Sequence, residues 1–136
     1  MVEIDVEYEG GLRCRAIHGP SGKTLTTDAP VDNHGQGESF SPTDLAATAL
    51  GACILTIMGI YAEREGIPLD GLKAHVGKVM STDPPRRIAR CEITITMPAG
   101  LNPRHRKALE CCAETCPVRQ SLKTEIEVPV EFRYPD

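Results

Sequence analysis

The chain opens on alternating apolar and acidic residues. In VEIDVEY, Val2, Ile4 and Val6 fall on one side and Glu3, Asp5 and Glu7 on the other, the period-two pattern of a strand with one covered face. Gly10-Gly11 supplies a turn, and LRCRAI alternates again, with Leu12, Cys14 and Ala16 opposite Arg13 and Arg15. GPSG at 19–22 turns the chain into a third strand, KTLTTD. The polar stretch APVDNHGQGES that follows has no periodicity and is rich in glycine, so it reads as a long surface loop or a lid around His34, over 32–39.

The period then changes. LAATALGACILTIMGIYA, residues 45–62, carries no charge at all. Ser41 fits the N-cap of a helix, Pro42 its first position, and Asp44 the third place of a capping box. Phe40 and Leu45 have the spacing of a hydrophobic staple. Gly66 and Pro68 mark the end, after Glu65. Such a helix runs ~36 Å at 1.5 Å per residue, long enough to be the spine of a small domain. Being apolar all round, it must be covered on all sides. The run just reaches the length of a membrane span, but its flanks, Asp44 and Glu63-Arg64-Glu65, lack the basic asymmetry of one, so a core helix and no membrane are expected.

LKAHVGKVM and RIARCEITITM read as two more strands joined by STDPPR. Asn102 and Pro103 open a second helix to about Thr115, Pro117 interrupts it, and VRQSLK continues as a short helix or turn. EIEVPVEFRY is a last strand, with Pro129 indicating an edge or a bulge. The order βββ-α-ββ-α-β predicts an α+β fold with antiparallel sheets around a long central apolar helix. At 136 residues the simplest organisation is one domain, 1–136.

Composition narrows the chemistry. Net charge is −4 with acids and bases interspersed, and the two basic clusters, Arg86-Arg87 with Arg90 and Arg104 to Lys107, read as solvated surface, so no nucleic acid is expected. The acidic N-terminus has no signal-peptide pattern. A cytoplasmic location is expected, where Cys14, Cys53, Cys91, Cys111, Cys112 and Cys116 stay free of structural disulfides.

Two of these thiols stand out by position. Cys53 lies in mid-helix, beyond reach of its own helix dipole, where burial alone would make it inert packing; to react it needs a cation from elsewhere, best an arginine. Cys116 precedes Pro117 and fits the N-cap of the next helix, where free N–H groups lower a thiol's pKa. Cys14 and Cys91 read as core filler on strands, and Cys111 and Cys112 diverge by ~100° on their helix. Cys112, Cys116 and His105 lack paired-ligand spacing, so no metal is expected.

FSPTDLAATALGAC together with TCPVRQSL resembles the OsmC/Ohr family, and the element order extends the likeness over nearly the whole chain. The resemblance implies a single OsmC-like domain, an intertwined homodimer with its sites at the subunit interface, and thiol-dependent reduction of small organic hydroperoxides in oxidative-stress defence. Carried over, Cys53 is the peroxidatic thiol, Cys116 the resolving thiol and Arg13 the cation, with Arg15 in reserve. No resident cofactor is implied; an external dithiol is the reductant. The family glutamate that orients the arginine would fall on Thr43, with Asp44 turned ~100° away on the helix. A second function, from another class, is a non-catalytic OsmC-like protein binding a small hydrophobic or thiol ligand at the dimer interface.

Overall fold

The computed structural model describes residues 1–135. The chain divides into two compact units, Met1–Ala46 and the part beginning at Ala47.

In the first unit β1 (Ile4–Gly10), β2 (Arg13–His18) and β3 (Thr24–Asp28) form an antiparallel sheet in that order. Leu12, expected to begin the second strand, instead takes a turn conformation at φ 64°, after two glycines that are also at positive φ. The register sets Val6 opposite Ala16 and Tyr8 opposite Cys14, and Ala16 opposite Leu25. Ile4, Val6, Tyr8, Ala16 and Leu25 therefore share one face. The polar stretch after β3 holds a single 3-10 turn, Val31–Asn33.

The long helix α1 (Pro42–Glu65) starts in this unit and matches the expected limits. Its start is a capping box: the Asp44 backbone N–H donates to Ser41 Oγ at 3.1 Å, and the Ser41 N–H donates to Asp44 Oδ2 at 2.9 Å. Phe40 stays half exposed. At the far end Gly66 adopts φ 67°, and the Ile67 N–H donates to the Ala62 carbonyl at 2.9 Å, closing the helix as a Schellman motif.

In the second unit β4 (Lys73–Met80), β5 (Ile88–Thr96) and β6 (Val130–Arg133) form a sheet in that order. The first pair is antiparallel, but β6 runs parallel to β5, a departure from the expected all-antiparallel pairing. The reason lies in the connection: α2 (Pro103–Thr115) and α3 (Pro117–Ser121) intervene, and a helical crossover returns a strand parallel to its predecessor. Pro129 falls just before β6, which is an edge strand, as a residue without an N–H donor requires.

Leu50, Ile54 and Met58 of α1, Ile93 and Ile95 of β5, and Leu109 of α2 meet in one core. Gly51 permits the helix to lie close on the sheet, since a Cβ there would come within 2.8 Å of Val76 Cγ2. Within one chain α1 is covered along a single stripe. Ala47, Leu50, Gly51, Ile54, Met58 and Ala62 form one buried stripe, while Ile60 is 55% exposed. By length and composition α1 could cross a membrane, and only 33% of its apolar window is buried within the chain.

Candidate active site

The second unit brings Cys53 and Cys116 together. α1 carries Cys53 at the border of its buried stripe, so the thiol is partly exposed rather than enclosed. Cys116 ends α2 and begins α3. Its extended backbone (φ −63°, ψ 140°) is followed by Pro117 at the first helical position, and Sγ accepts the Arg119 N–H at 3.3 Å. Cys116 is fully buried. The two thiols lie near enough to interact electrostatically.

The thiol of Cys116 is pushed above its ordinary pKa, opposite to what an N-cap position alone predicts. Burial is the largest cause; the Arg119 N–H pulls the other way, and the neighbouring Cys53 thiol adds to the rise. Two backbone N–H groups at the start of a short helix do not offset the loss of water. Cys91 and Cys112 are likewise raised, chiefly by burial.

The first unit holds the arginines. Arg13 and Arg15 project from the same face of β2, and the structure separates them. Arg15 is exposed and reaches Glu7 at 3.7 Å. Arg13 is half-buried and donates through Nη2 to the carboxylates of Glu38 and, at 3.5 Å, Asp28. The Glu38 hydrogen bond, with the charges of Asp28 and Glu38, raises its pKa further, so it is a permanent cation. Asp44 is engaged in the capping box, and Thr43 Oγ1 lies 3.2 Å from Ser41 Oγ. Neither Asp28 nor Glu38 was among the expected site residues. Asp28 was accessible to inference, because antiparallel pairing sets it directly opposite Arg13; Glu38 lies in an aperiodic loop that carries no such signal.

The loop is fastened rather than loose. The Asp28 N–H donates to the Phe40 carbonyl at 3.0 Å, the Ala29 N–H to the Leu12 carbonyl at 3.2 Å, and the Glu38 N–H to Asp28 Oδ2 at 3.0 Å. A Cβ at Gly35 would fall 1.7 Å from the Ala29 carbonyl oxygen, so only glycine permits this fold of the loop. Among the described residues no three His, Cys, Asp or Glu side chains gather closely enough to hold a metal ion.

These features define an α+β protein built on a long apolar helix, with one of two adjoining free thiols on that helix. The family model for OsmC-like protein matches residues 35–131, and the chain belongs to that family. It is similar over 98% of its length, and 96% of the other chain, to a Psychrobacter arcticus 273-4 protein with a proposed role in osmotic stress induced and detoxification response, at 45% identity and a TM-score of 0.91. An organic hydroperoxide resistance protein OsmC from Legionella pneumophila shares the fold at 17% identity and a TM-score of 0.76, with 97% and 96% of the two chains covered. The organic hydroperoxide resistance protein OhrB of Bacillus subtilis does so at 17% identity and 0.68, with 98% of each chain covered. No curated protein matches the chain.

Proposed function

We propose that the protein reduces small organic hydroperoxides in the cytoplasm, with Cys53 as the attacking thiol and Cys116 as the resolving one. The observation that carries this reading is the interacting pair of free thiols, one partly exposed and one buried. The Cys53 thiolate attacks one peroxide oxygen; an S–O bond forms, the O–O bond breaks, and the departing alkoxide takes a proton to leave as the alcohol. Cys53 is thereby oxidised to the sulfenic acid. The Cys116 sulfur then attacks Cys53; the S–S bond forms, the S–O bond breaks and water leaves. An external dithiol reduces the disulfide by two exchanges and is itself oxidised to a disulfide, so no resident cofactor is needed.

The buried Cys116, kept protonated by its surroundings, is suited to wait for the sulfenate rather than compete for peroxide. Arg13 supplies the cation that stabilises the Cys53 thiolate and polarises the peroxide, with Arg15 as the weaker candidate because it is exposed and paired to Glu7. Partly buried Ile57, one turn along α1 from Cys53, favours an organic peroxide over hydrogen peroxide.

The working form is a homodimer. Support comes from membership of the family, from the open apolar face carrying Val6 and Tyr8, and from exposed Ile60 on α1.

The test is turnover of cumene hydroperoxide with dithiothreitol. Cys53→Ser abolishes it, and Cys116→Ser lets Cys53 advance to the sulfinic acid, read by intact mass. Undiminished turnover in Cys53→Ser refutes the mechanism. A folded wild-type protein that forms neither sulfenate nor Cys53–Cys116 disulfide under peroxide favours the non-catalytic, ligand-binding reading.

A further inference from the structure

We infer that Glu38 is the positioning residue of Arg13, and that the buried carboxylate of Asp28 holds Glu38 in place to do so. The catalytic consequence rests on the hydroperoxide reading; the hold on the guanidinium belongs to the first unit and stands apart from it.

Arg13 lies directly opposite Asp28 in the β2–β3 register, so Asp28 is its natural partner. Yet their contact, 3.5 Å, is at the outer limit of a hydrogen bond, and the same Nη2 makes its close contact with Glu38 instead. Asp28 Oδ2 also accepts the Glu38 backbone N–H, at the shorter distance of 3.0 Å. Asp28 is only 1% exposed, and its other oxygen, Oδ1, has no hydrogen-bond partner among the described residues. A buried carboxylate with one oxygen unsatisfied is unfavourable, and this one is retained where it fixes both the backbone at Glu38 and the direction of Arg13.

The neighbours of Glu38 are fixed as well. The Gly37 N–H donates to the Ala29 carbonyl at 3.2 Å, and Ser39 Oγ donates to the Thr26 carbonyl at 2.8 Å. An exposed ion pair between two freely moving side chains holds little. Here one partner is carried on a segment held by the backbone N–H groups of Gly37 and Glu38 and by the side-chain hydroxyl of Ser39, so less freedom is lost when the pair forms. Both carboxylates grip the guanidinium through Nη2, at one corner of its fork, rather than bidentately. A cation held this way keeps its orientation while other N–H donors of the fork remain for an anion. Glu38 thus supplies, from the loop, the carboxylate that the resemblance would place at position 43, where this chain has Thr43.

Glu38→Gln removes the charge and preserves the backbone N–H that Asp28 accepts. Phenylglyoxal, an arginine reagent, reads the hold directly when Arg13 adducts are followed by peptide mass. Arg13 in Glu38→Gln is modified several-fold faster than in the wild type. With cumene hydroperoxide and dithiothreitol, kcat falls about tenfold at an unchanged melting temperature, as expected when a reacting group is misplaced. Glu38→Asp recovers part of both. In Asp28→Ala the Glu38 amide exchanges its hydrogen faster; slow exchange there overturns the part given to Asp28. An unchanged Arg13 modification rate in Glu38→Gln overturns the hold, and faster modification with wild-type kcat overturns the positioning role. Should the wild type turn over no hydroperoxide, the proposed function fails while the phenylglyoxal rates still decide the hold.

Discussion

The two three-stranded sheets begin from the same kind of sequence and end in different circumstances. β1 alternates Ile4, Val6 and Tyr8 with acids; β5 alternates Cys91, Ile93 and Ile95 with polar residues. In the second unit that apolar row is fully covered, Ile95 being 0% exposed, because Leu50, Ile54 and Leu109 from the helices of the same unit pack in one core with it. In the first unit Val6 and Tyr8 remain 64% and 68% exposed. Alternation therefore announces that a face is to be buried and does not say by what. A sheet joined to its own helices completes itself, whereas one without them presents a surface for another molecule.

The largest effect separating the two is truncation in the covered sheet. Ile95→Ala removes a fully buried side chain, and about 2–5 kcal/mol of stability goes with it. Urea unfolding checks this, and the loss should be the same at every protein concentration when referred to the same associated state. A loss below ~1 kcal/mol would mean that this core collapses around the cavity and that the contrast between the sheets is overstated.

A charge on the open sheet tests its other half. Val6→Asp on a merely solvated face changes little, within about 0.5 kcal/mol. If the face is covered by a second copy, the same change weakens self-association at least tenfold, about 1.4 kcal/mol. Sedimentation velocity should then show the dimer giving way to single chains across a dilution series. An unaltered dimer would take the β1 face out of the interface and leave the exposed side of α1, around Ile60, as the remaining candidate.

How far the sequence reaches follows the same division between local and distant causes. The limits of α1, its capping box and its glycine stop were legible because cap chemistry is local and needs only four or five consecutive residues. Asn102 at the start of α2 was legible for the same reason, its Oδ1 accepting the His105 N–H at 2.8 Å. The parallel β6 was not, because strand direction depends on what the crossover does in space. For the thiols, position pointed to Cys53 and Cys116, but the sign of the Cys116 shift could not be read: the N-cap is visible in the sequence and the burial that outweighs it is not. The resemblance drew attention to Thr43 and Asp44, whereas Arg13 is held by a strand neighbour and a loop residue that no periodicity marks.

The smallest effect concerns how the second unit completes its polar contacts as well as its apolar ones. The Tyr134 hydroxyl donates to Glu110 Oε1, and the Arg106 guanidinium lies 4.2 Å from the ring centroid. Burial first, then the Glu110 hydrogen bond and charge, push Tyr134 up to about 12, with Arg106 opposing them. An unfolded tyrosine titrates near ~10, so the folded chain holds this proton more tightly. Its contribution to stability is fully present below pH ~10 and is lost as pH rises toward about 12, because over that interval the unfolded chain has already released the proton and the folded one has not. Absorbance at 295 nm should therefore show a late tyrosine ionisation that disappears in Tyr134→Phe. Glu110→Gln removes the negative charge but keeps an acceptor, so the late step should move to lower pH without vanishing, since burial, the largest cause, is untouched. If Glu110→Gln leaves the step where it was, the carboxylate has no part in it and burial alone holds the proton.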